Sequence, residues 1–222
     1  MREIKLCVFD MDGLLLDSET VYFINARRCS EIYGYHIPDE LILSTMGMNE
    51  NEQEKQFKAV LGNDFDFRQF LHYEWILHLQ YLEEHPMQKK KGVDELFAFL
   101  EENGIAKALA TSTDRQYALP PLQETGLVVR FNHLVFGDDL KESKPRPEIY
   151  LKAIDPFSLS KEQILAFEDS DNGILSACNA GLRVIHIPDL AYVSKETKEK
   201  CFAIFSDLTE CIPLIEKMNS IQ

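Results

Sequence analysis

Residues 5–19 read KLCVFDMDGLLLDSE. The run Lys5–Asp10 is short and rich in apolar and branched residues, which is typical of a strand buried on both faces. It ends in a carboxylate, and Asp12 and Gly13 follow immediately. Glycine permits the backbone to turn sharply at this point. The stretch therefore predicts a central strand that runs into a turn carrying two carboxylates.

Similar short apolar runs recur along the rest of the chain, and amphipathic stretches with helical periodicity separate most of them. This alternation indicates an α/β fold: a Rossmann-like, doubly wound parallel sheet with right-handed crossovers and helices on both faces. The further predicted strands are Lys107–Ser112, His133–Gly137, Ile164–Asp169, Arg183–Pro188 and Phe202–Ser206. The predicted helices of this part are Val93–Asn103, Pro147–Ile154, Asn172–Ala180, Leu208–Met218, and one that ends near Thr125 and starts at Pro120 or is kinked there.

The segment between the first two predicted strands breaks the alternation. It spans roughly seventy residues, far more than an ordinary connection takes, and it contains no convincing strand. We therefore predict an α-helical cap domain of residues 18–87, inserted into a catalytic core of residues 1–17 and 88–222. Its predicted helices are Thr20–Tyr33, Asp39–Thr45, Asn51–Leu61 and Arg68–Glu84.

Polar residues stand at the carboxyl ends of the predicted strands, where parallel α/β sheets bind their ligands. Asp10 and Asp12 follow the first strand, Thr111 and Ser112 end the second, Lys144 follows the third, and Glu168 and Asp169 end the fourth. Phosphoryl transfer needs a nucleophile, a cation and fixed hydrogen-bond donors around the phosphoryl oxygens. These residue types supply all three, and the carboxylates of Asp10 and Asp169 suit Mg²⁺.

Each element also has a structural interpretation when it is taken alone. A D-x-D-G sequence is common in turns, and Thr113 with Gln116 has the spacing of a helix capping box. Ser170 could cap the next helix, and Lys144 could lie in an exposed loop. The ordered combination, with each element at a predicted strand end, favours a site.

Four stretches together resemble the motifs of haloacid-dehalogenase-type phosphatases of the β-phosphoglucomutase-like group. They are DMDGLLLDSE at 10–19, the LATST run that includes Thr111, SKPRPE at 143–148 and FEDSDNG at 167–173. The resemblance implies that Asp10 is the nucleophile and that Asp12 is the general acid/base. Thr111, Ser112 and Lys144 would hold phosphate. It also implies Mg²⁺ bound by Asp10, Asp12 (through its backbone carbonyl) and Asp169, with Glu168 close by.

The same group contains sugar phosphomutases, which resemble phosphatases closely. The mutase pattern has an arginine soon after a cap glycine, where this chain has Gly47-Met48-Asn49-Glu50, and a histidine where this chain has Tyr22. Both differences favour a phosphatase that acts on a small phosphorylated metabolite, by resemblance a sugar phosphate. A phospho-accepting signalling module remains a further alternative, although the insertion and the D-x-D pair fit it badly.

The charge balance limits the partners. The chain has 23 basic and 37 acidic residues, for a net charge of −14, which argues against nucleic acid or an anionic membrane as a partner. The Lys89-Lys90-Lys91 run could attract phosphorylated substrates or could be a solvated loop. The N-terminus shows no leader pattern, so we expect a cytoplasmic protein; the resemblance implies a monomer.

Overall fold

A parallel sheet forms the centre of the molecule, for which a computed structural model describes residues 3–48 and 50–220. Within these residues, six strands form one sheet in the order β3-β2-β1-β4-β5-β6, and all neighbouring strands are parallel. The predicted fold class is confirmed. The strands are β1 (Leu6–Phe9), β2 (Ala106–Ala110), β3 (His133–Val135), β4 (Ile164–Glu168), β5 (Arg183–His186) and β6 (Ala203–Ile204). The chain reverses direction across the sheet between β1 and β4, which makes their carboxyl ends the switch point where ligands bind.

The strands end earlier than the sequence pattern predicts, and this difference matters for the site. β1 ends at Phe9 and β4 at Glu168, so Asp10 and Asp169 lie just beyond the regular ladder. The Asp10 backbone N–H still donates to Phe167 O at 3.1 Å. The backbone of Asp10 is thus anchored to the sheet, while its side chain is at the edge.

The helices surround this sheet and also fill the long segment between β1 and β2. They are α1 (Ser18–Tyr33), α2 (Asp39–Thr45), α3 (Glu50–Leu61), α4 (Phe67–Glu84), α5 (Val93–Glu102), α6 (Arg115–Glu124), α7 (Glu148–Ile154), α8 (Asp171–Asn179), α9 (Lys195–Lys198) and α10 (Cys211–Ser220). Single 3-10 turns stand at Val128–Arg130, Gly137–Asp139, Asp155–Phe157, Lys161–Gln163 and Leu208–Glu210. The short helix α9 was not predicted.

Helix α6 corrects one expectation, because it begins at Arg115 and not at Pro120. Both Pro120 and Pro121 lie inside it. A proline within a helix leaves the carbonyl four residues earlier without its partner, but here these carbonyls belong to Gln116 and Tyr117, which are exposed to water. Buried Ala118 and Leu122 anchor the opposite face.

Side chains of β1 alternate between two hydrophobic clusters, one on each face of the sheet. Cys7 and Phe9 belong to the cluster beneath α5, α6 and α10, whereas Leu6 and Val8 belong to the cluster beneath α7 and α8. All four are fully buried, as expected for a central parallel strand. The Phe9 ring stacks on Phe167 with 4.6 Å between centroids, which fixes β1 against β4 immediately below the switch point.

Helices α1 to α4 and the loops between them form a third hydrophobic cluster, to which Ala191 is the one buried contributor from elsewhere in the described chain. Phe57, Phe67 and Phe70 are its largest buried members, with ring centroids 5.1–6.2 Å apart. Such a separate cluster is what an inserted cap of residues 18–87 requires. The domain boundaries themselves stay a prediction.

Two linkers join these helices to the sheet, and they run side by side. Asp17 N–H donates to Gln88 O and Lys90 N–H donates to Leu15 O, each at 2.9 Å. The Lys90 ammonium also bonds to Asp189 at 2.5 Å and to Asp17 at 3.2 Å. Lys89 and Lys91 pair with Asp94 and Asp207 respectively. The lysine run is therefore paired with aspartates and does not form a free cationic surface.

In the described part of the chain, no helix combines the length and the apolar character that crossing a membrane requires.

Candidate active site

A cavity of about 550 Å³ lies between the carboxyl edge of the sheet and helices α1, α3 and α4. Five of the seven predicted site residues line it: Asp10, Asp12, Ser112, Lys144 and Asp169. The other two, Thr111 and Glu168, are fully buried beneath its floor. The sheet thus brings all seven to one edge, and it separates those that a ligand could touch from those that support them.

Three carboxylates form a buried cluster in the floor. Asp10, Glu168 and Asp169 each offer one oxygen, and these oxygens lie within 4.8 Å of one another. The Lys144 ammonium lies 2.5 Å from Asp10 Oδ1 and 2.6 Å from Glu168 Oε1. One ammonium cannot balance three carboxylates, so the cluster retains an excess of negative charge. Oxygen donors with this excess suit a hard divalent cation.

The pKa values of the cluster show the same imbalance. Burial raises the pKa of Asp10 to about 7; Lys144 opposes the rise, and the carboxylates of Glu168 and Asp12 add to it. Burial and then Asp10 raise the pKa of Asp169 well above its ordinary value. Burial lowers the pKa of Lys144, but Asp10 and Glu168 outweigh that effect and leave it above its ordinary value. A cation among these carboxylates would stabilise their charged forms.

Glu168 is held rigidly below the cavity. Besides Lys144, it accepts a hydrogen bond from Tyr150 Oη at 2.6 Å and one from Ser170 Oγ at 3.3 Å. Ser170 also caps helix α8 by accepting from Gly173 N–H at 3.2 Å, as predicted. Tyr150 was not predicted as a site residue, since an aromatic residue in a helix indicates core packing.

Three hydroxyl groups surround the Asp12 carboxylate. Ser18 Oγ donates to Oδ1 at 2.7 Å, Thr113 Oγ1 donates to Oδ2 at 2.6 Å, and Thr111 Oγ1 lies 3.4 Å from Oδ2. Together they fix the direction in which the carboxylate points. The capping box suggested for Thr113 and Gln116 is wrong, because Asp114 is the N-cap of α6 and makes no side-chain capping bond.

The turn after β1 requires glycine. Gly13 has φ +73°, and a Cβ atom there would lie 2.5 Å from Asp169 Oδ2 and 3.1 Å from Asp189 Oδ2. Only glycine adopts this conformation without strain and leaves that space open. Glycine is therefore required in this turn, as predicted, for two independent reasons: the positive φ, and the close approach of the Asp169 and Asp189 carboxylates.

Glu19 adds a further carboxyl group to the cavity wall. It accepts a hydrogen bond from the backbone N–H of Gly47, in the loop after α2. Burial raises its pKa to about 8, and the neighbouring Asp12, Asp189 and Asp10 carboxylates contribute. Gly47 itself approaches the sheet edge so closely that a Cβ atom would lie 2.8 Å from Ser170 Cβ. The loop after α2 thus closes one side of the cavity.

Comparison with known proteins identifies the family. The sequence profile of haloacid dehalogenase-like hydrolases matches residues 7–187, and the chain belongs to this family. It is 36% identical to a phosphorylated carbohydrates phosphatase of Thermotoga maritima, over 81% of this chain and 82% of that protein. It is 31% identical to (DL)-glycerol-3-phosphatase 2 of Arabidopsis thaliana, over 82% and 78% of the two chains.

The fold extends to proteins with a different activity. The structure of β-phosphoglucomutase from Clostridium difficile matches with a TM-score of 0.78 at 17% identity and covers 98% of this chain and 97% of that chain. The predicted family and fold are confirmed, and the phosphatases among the relatives support a phosphoric monoester hydrolase. Phosphatase and mutase share this fold, so the distinction rests on residues of the site.

Proposed function

We propose that the chain is a Mg²⁺-dependent phosphatase that hydrolyses a small sugar phosphate through an aspartyl-phosphate on Asp10. The observation that carries the proposal is the cavity at the switch point, where Asp10, Asp12, Lys144 and Asp169 face one space. The activities named for the relatives, on phosphorylated carbohydrates and on glycerol 3-phosphate, support the substrate class.

The metal would be held by the carboxylates of Asp10 and Asp169 and, by the family resemblance, by the backbone carbonyl of Asp12. The buried cluster fits such an ion because its charge exceeds what Lys144 balances. When bound, the metal ion would offset negative charge on the transferring phosphoryl group. Glu168 lies within the same cluster and accepts hydrogen bonds from Lys144 and Tyr150. Its role would be to hold Lys144 in position.

In the first step, the Asp10 carboxylate forms a bond to phosphorus while the bond from phosphorus to the ester oxygen breaks. Asp12, as the carboxylic acid, gives its proton to that oxygen, so the alcohol leaves neutral. The hydroxyls of Ser18 and Thr113 keep Asp12 in position. Lys144 and Ser112, which line the cavity, would stabilise the phosphoryl oxygens. Thr111, for which the resemblance implies the same role, is fully buried and has its hydroxyl 3.4 Å from Asp12 Oδ2, so it would support Asp12 from below.

The second step reverses the direction of proton transfer. The Asp12 carboxylate takes a proton from water, and the resulting hydroxide attacks phosphorus. The bond between phosphorus and the Asp10 oxygen then breaks, which releases inorganic phosphate. Asp10 is again a carboxylate and Asp12 again an acid, so the cycle is complete.

Helices α1 to α4, residues 18–87, act in this proposal as a cap that excludes water from the first step. The close approach of Gly47, in this segment, to Ser170 of the core supports a closed arrangement. The paired linkers at Asp17–Gln88 and Leu15–Lys90 would be the hinge.

A mutase has to hold a second phosphate in the cap, and the residues here argue against it. Among the described residues that line the cavity, Lys144 is the only lysine or arginine, and it lies in the floor. Asn49, in the segment where mutases carry their arginine, is outside the described residues. A phospho-accepting signalling module would not need the acid/base Asp12 with its three hydroxyl neighbours.

The test is release of phosphate from sugar phosphates and p-nitrophenyl phosphate, with Mg²⁺ and with EDTA. We expect turnover that EDTA abolishes and that Asp10→Asn abolishes, while Asp64→Asn at an exposed cap position retains it. Turnover in EDTA would contradict the metal, and normal turnover by Asp10→Asn would contradict the nucleophile. A single labelling of Asp10 without turnover would instead support the signalling module.

A further inference from the structure

The cavity wall opposite Asp10 carries buried polar groups that the proposed reaction does not use. Glu74 of α4 is only 5% exposed, and its Oε1 has no hydrogen-bond partner among the described residues. His78 Nδ1, one turn along the same helix, lies 3.8 Å from this oxygen, which is too far for a hydrogen bond. The buried hydroxyl of Tyr22, on α1, also lacks a partner in the described part of the chain. All three residues line the same cavity as Asp10 and Asp12.

Such an arrangement is unfavourable unless something binds to it. A buried polar atom without a hydrogen bond destabilises the fold, and native proteins contain few of them. Burial accordingly raises the pKa of Glu74 to about 8. Two unpartnered oxygens, both on residues that line one cavity, therefore indicate a place for a ligand that offers hydrogen-bond donors and acceptors.

Aromatic rings flank these polar groups. The Trp75 ring stacks on His78 with 5.1 Å between centroids and an interplanar angle of 17°. It also meets Tyr117 of α6 edge-on at 5.0 Å. Flat aromatic surface beside a few placed polar groups is how pockets hold small molecules with one apolar face and several hydroxyls. The C–H face of a sugar has this character.

The charge of the wall argues against a ligand that carries a second anionic group. Of the described residues lining the cavity, Lys144 alone is a lysine or arginine, and it lies in the floor beside Asp10 and Glu168, not on the side of the helices. Glu19, Glu50 and Glu74 are acidic residues of the same cavity on the side of the helices. A second phosphate or a carboxylate on the substrate would meet no cation there. Above the raised pKa values of Glu19 and Glu74, about 8 each, it would also face like charge.

We propose that Tyr22, Glu74 and His78 form a hydroxyl-binding subsite that selects phosphate monoesters with a neutral, polyhydroxylated leaving group and rejects those with a second anionic group. This inference rests on the proposed phosphatase function and narrows its substrate class. Glu74 accepts hydrogen bonds from sugar hydroxyls, and the Tyr22 hydroxyl and the His78 ring can donate or accept. The reaction itself takes place at Asp10, and the subsite orients the leaving group above it.

The test compares three kinds of ester in steady-state kinetics with Mg²⁺. The monophosphates are glucose 6-phosphate, fructose 1-phosphate and ribose 5-phosphate, the bisphosphate is fructose 1,6-bisphosphate, and p-nitrophenyl phosphate is the ester without sugar hydroxyls. We expect the wild type to prefer its best sugar monophosphate over the bisphosphate by at least about tenfold in kcat/KM.

The variants are Glu74→Gln, Glu74→Ala and Tyr22→Phe, with Asp64→Asn as the surface control. Glu74→Ala should lower kcat/KM for the best sugar monophosphate about 10–100-fold more than for p-nitrophenyl phosphate. In assays at pH 9, above the pKa of Glu74, Glu74→Gln should raise the relative rate on the bisphosphate by about tenfold, because a neutral amide no longer repels the second phosphate. Tyr22→Phe should lower kcat/KM for the sugar monophosphate relative to p-nitrophenyl phosphate, and it should not raise the relative rate on the bisphosphate.

Several outcomes would overturn the subsite. One is an equal loss on sugar phosphates and p-nitrophenyl phosphate, which would indicate a purely structural role for Glu74. Others are no loss at all, or a wild type that cleaves p-nitrophenyl phosphate but no sugar monophosphate. In that last case the phosphatase chemistry at Asp10 stands, whereas the subsite and the proposed sugar phosphate substrate both fail. If the wild type cleaves no ester, the proposed function fails, and the subsite fails with it.

Discussion

Gly173 lies directly against the carboxylate of Glu168, so closely that a Cβ atom on Gly173 would be 2.0 Å from both Cδ and Oε2. Glu168 cannot move aside easily, since it is fully buried and bonded to Lys144 and Tyr150. The first turn of helix α8 and the charged floor of the cavity are therefore mutually dependent.

The first prediction concerns Gly173→Ala. Alanine normally stabilises a helix interior by about 1 kcal/mol relative to glycine, but here the collision with Glu168 outweighs that gain. We expect a loss of about 1–3 kcal/mol in the free energy of unfolding and a reduced affinity for Mg²⁺, because Glu168 shifts and disturbs Lys144. Urea unfolding and metal titration of activity measure the two effects.

A double variant distinguishes this collision from a general effect on the helix. Adding Glu168→Asp shortens the side chain that the new methyl meets, so the two changes together should cost less than their sum. Additive losses would show that Gly173 and Glu168 act independently.

The second prediction concerns Lys144→Met, which keeps the length of the side chain and removes its charge. We expect kcat to fall by about 10²–10³-fold, because Asp10 loses its cationic partner and the phosphoryl oxygens lose a donor. The variant should also bind Mg²⁺ at least as tightly, since the carboxylates then have no competing ammonium. Lys141→Met, at an exposed position of the same segment, is the matched control. Unchanged turnover in Lys144→Met would remove this lysine from the mechanism.

The third prediction concerns Thr113, which positions Asp12. Thr113→Val keeps the shape and loses the 2.6 Å hydrogen bond to Asp12 Oδ2. We expect kcat to fall about 10–100-fold, as for a hydrogen bond to a charged group, with little change in KM. Thr113→Ser retains the hydroxyl and should recover most of the activity. If the valine and serine variants behave alike, the hydroxyl does not act through Asp12.

The sequence was most informative where a polar residue directly follows a predicted strand. Asp10, Asp12 and Asp169 each follow a predicted buried strand, and the carboxyl ends of parallel strands lie at one edge of a sheet, so the sequence could predict that all three lie at that edge. Lys144 could be added because it follows the third strand, although the sequence could not show that its ammonium would reach both Asp10 and Glu168.

Residues whose position depends on tertiary packing could not be predicted. Thr113 and Ser18 have the local signals of helix starts, and only the fold shows that both hydroxyls meet Asp12. Glu74 lies in a long helix where a glutamate is normally solvated; its burial follows from how α1 packs on α4. Helix α6 continues through Pro120 and Pro121, where the carbonyls left without partners belong to the exposed residues Gln116 and Tyr117, and no local rule foresees this.

The fourth prediction concerns the free energy of unfolding and its pH dependence, through Glu74→Gln. Burial raises the pKa of Glu74 from its ordinary 4.5 to about 8, so between these pH values the folded state binds one more proton than the unfolded chain. Stability therefore falls as pH rises through this window. The amide does not ionise, and we expect Glu74→Gln to raise the free energy of unfolding at pH 8 by roughly 2 kcal/mol and by less at pH 5. Urea unfolding at the two pH values measures the difference, and an equal change at both would contradict the raised pKa.

The contact between Trp75 and Tyr117 has a practical consequence. Trp75 is the only tryptophan of the chain, and it joins helix α4 to helix α6 on the opposite side of the cavity. Its intrinsic fluorescence is thus a label-free reporter for the gap between the two walls. Separation of α4 from α6 would expose the indole to water and shift its emission to the red. Stopped-flow recording of this signal would therefore test the proposed closure of helices α1 to α4 during a single turnover.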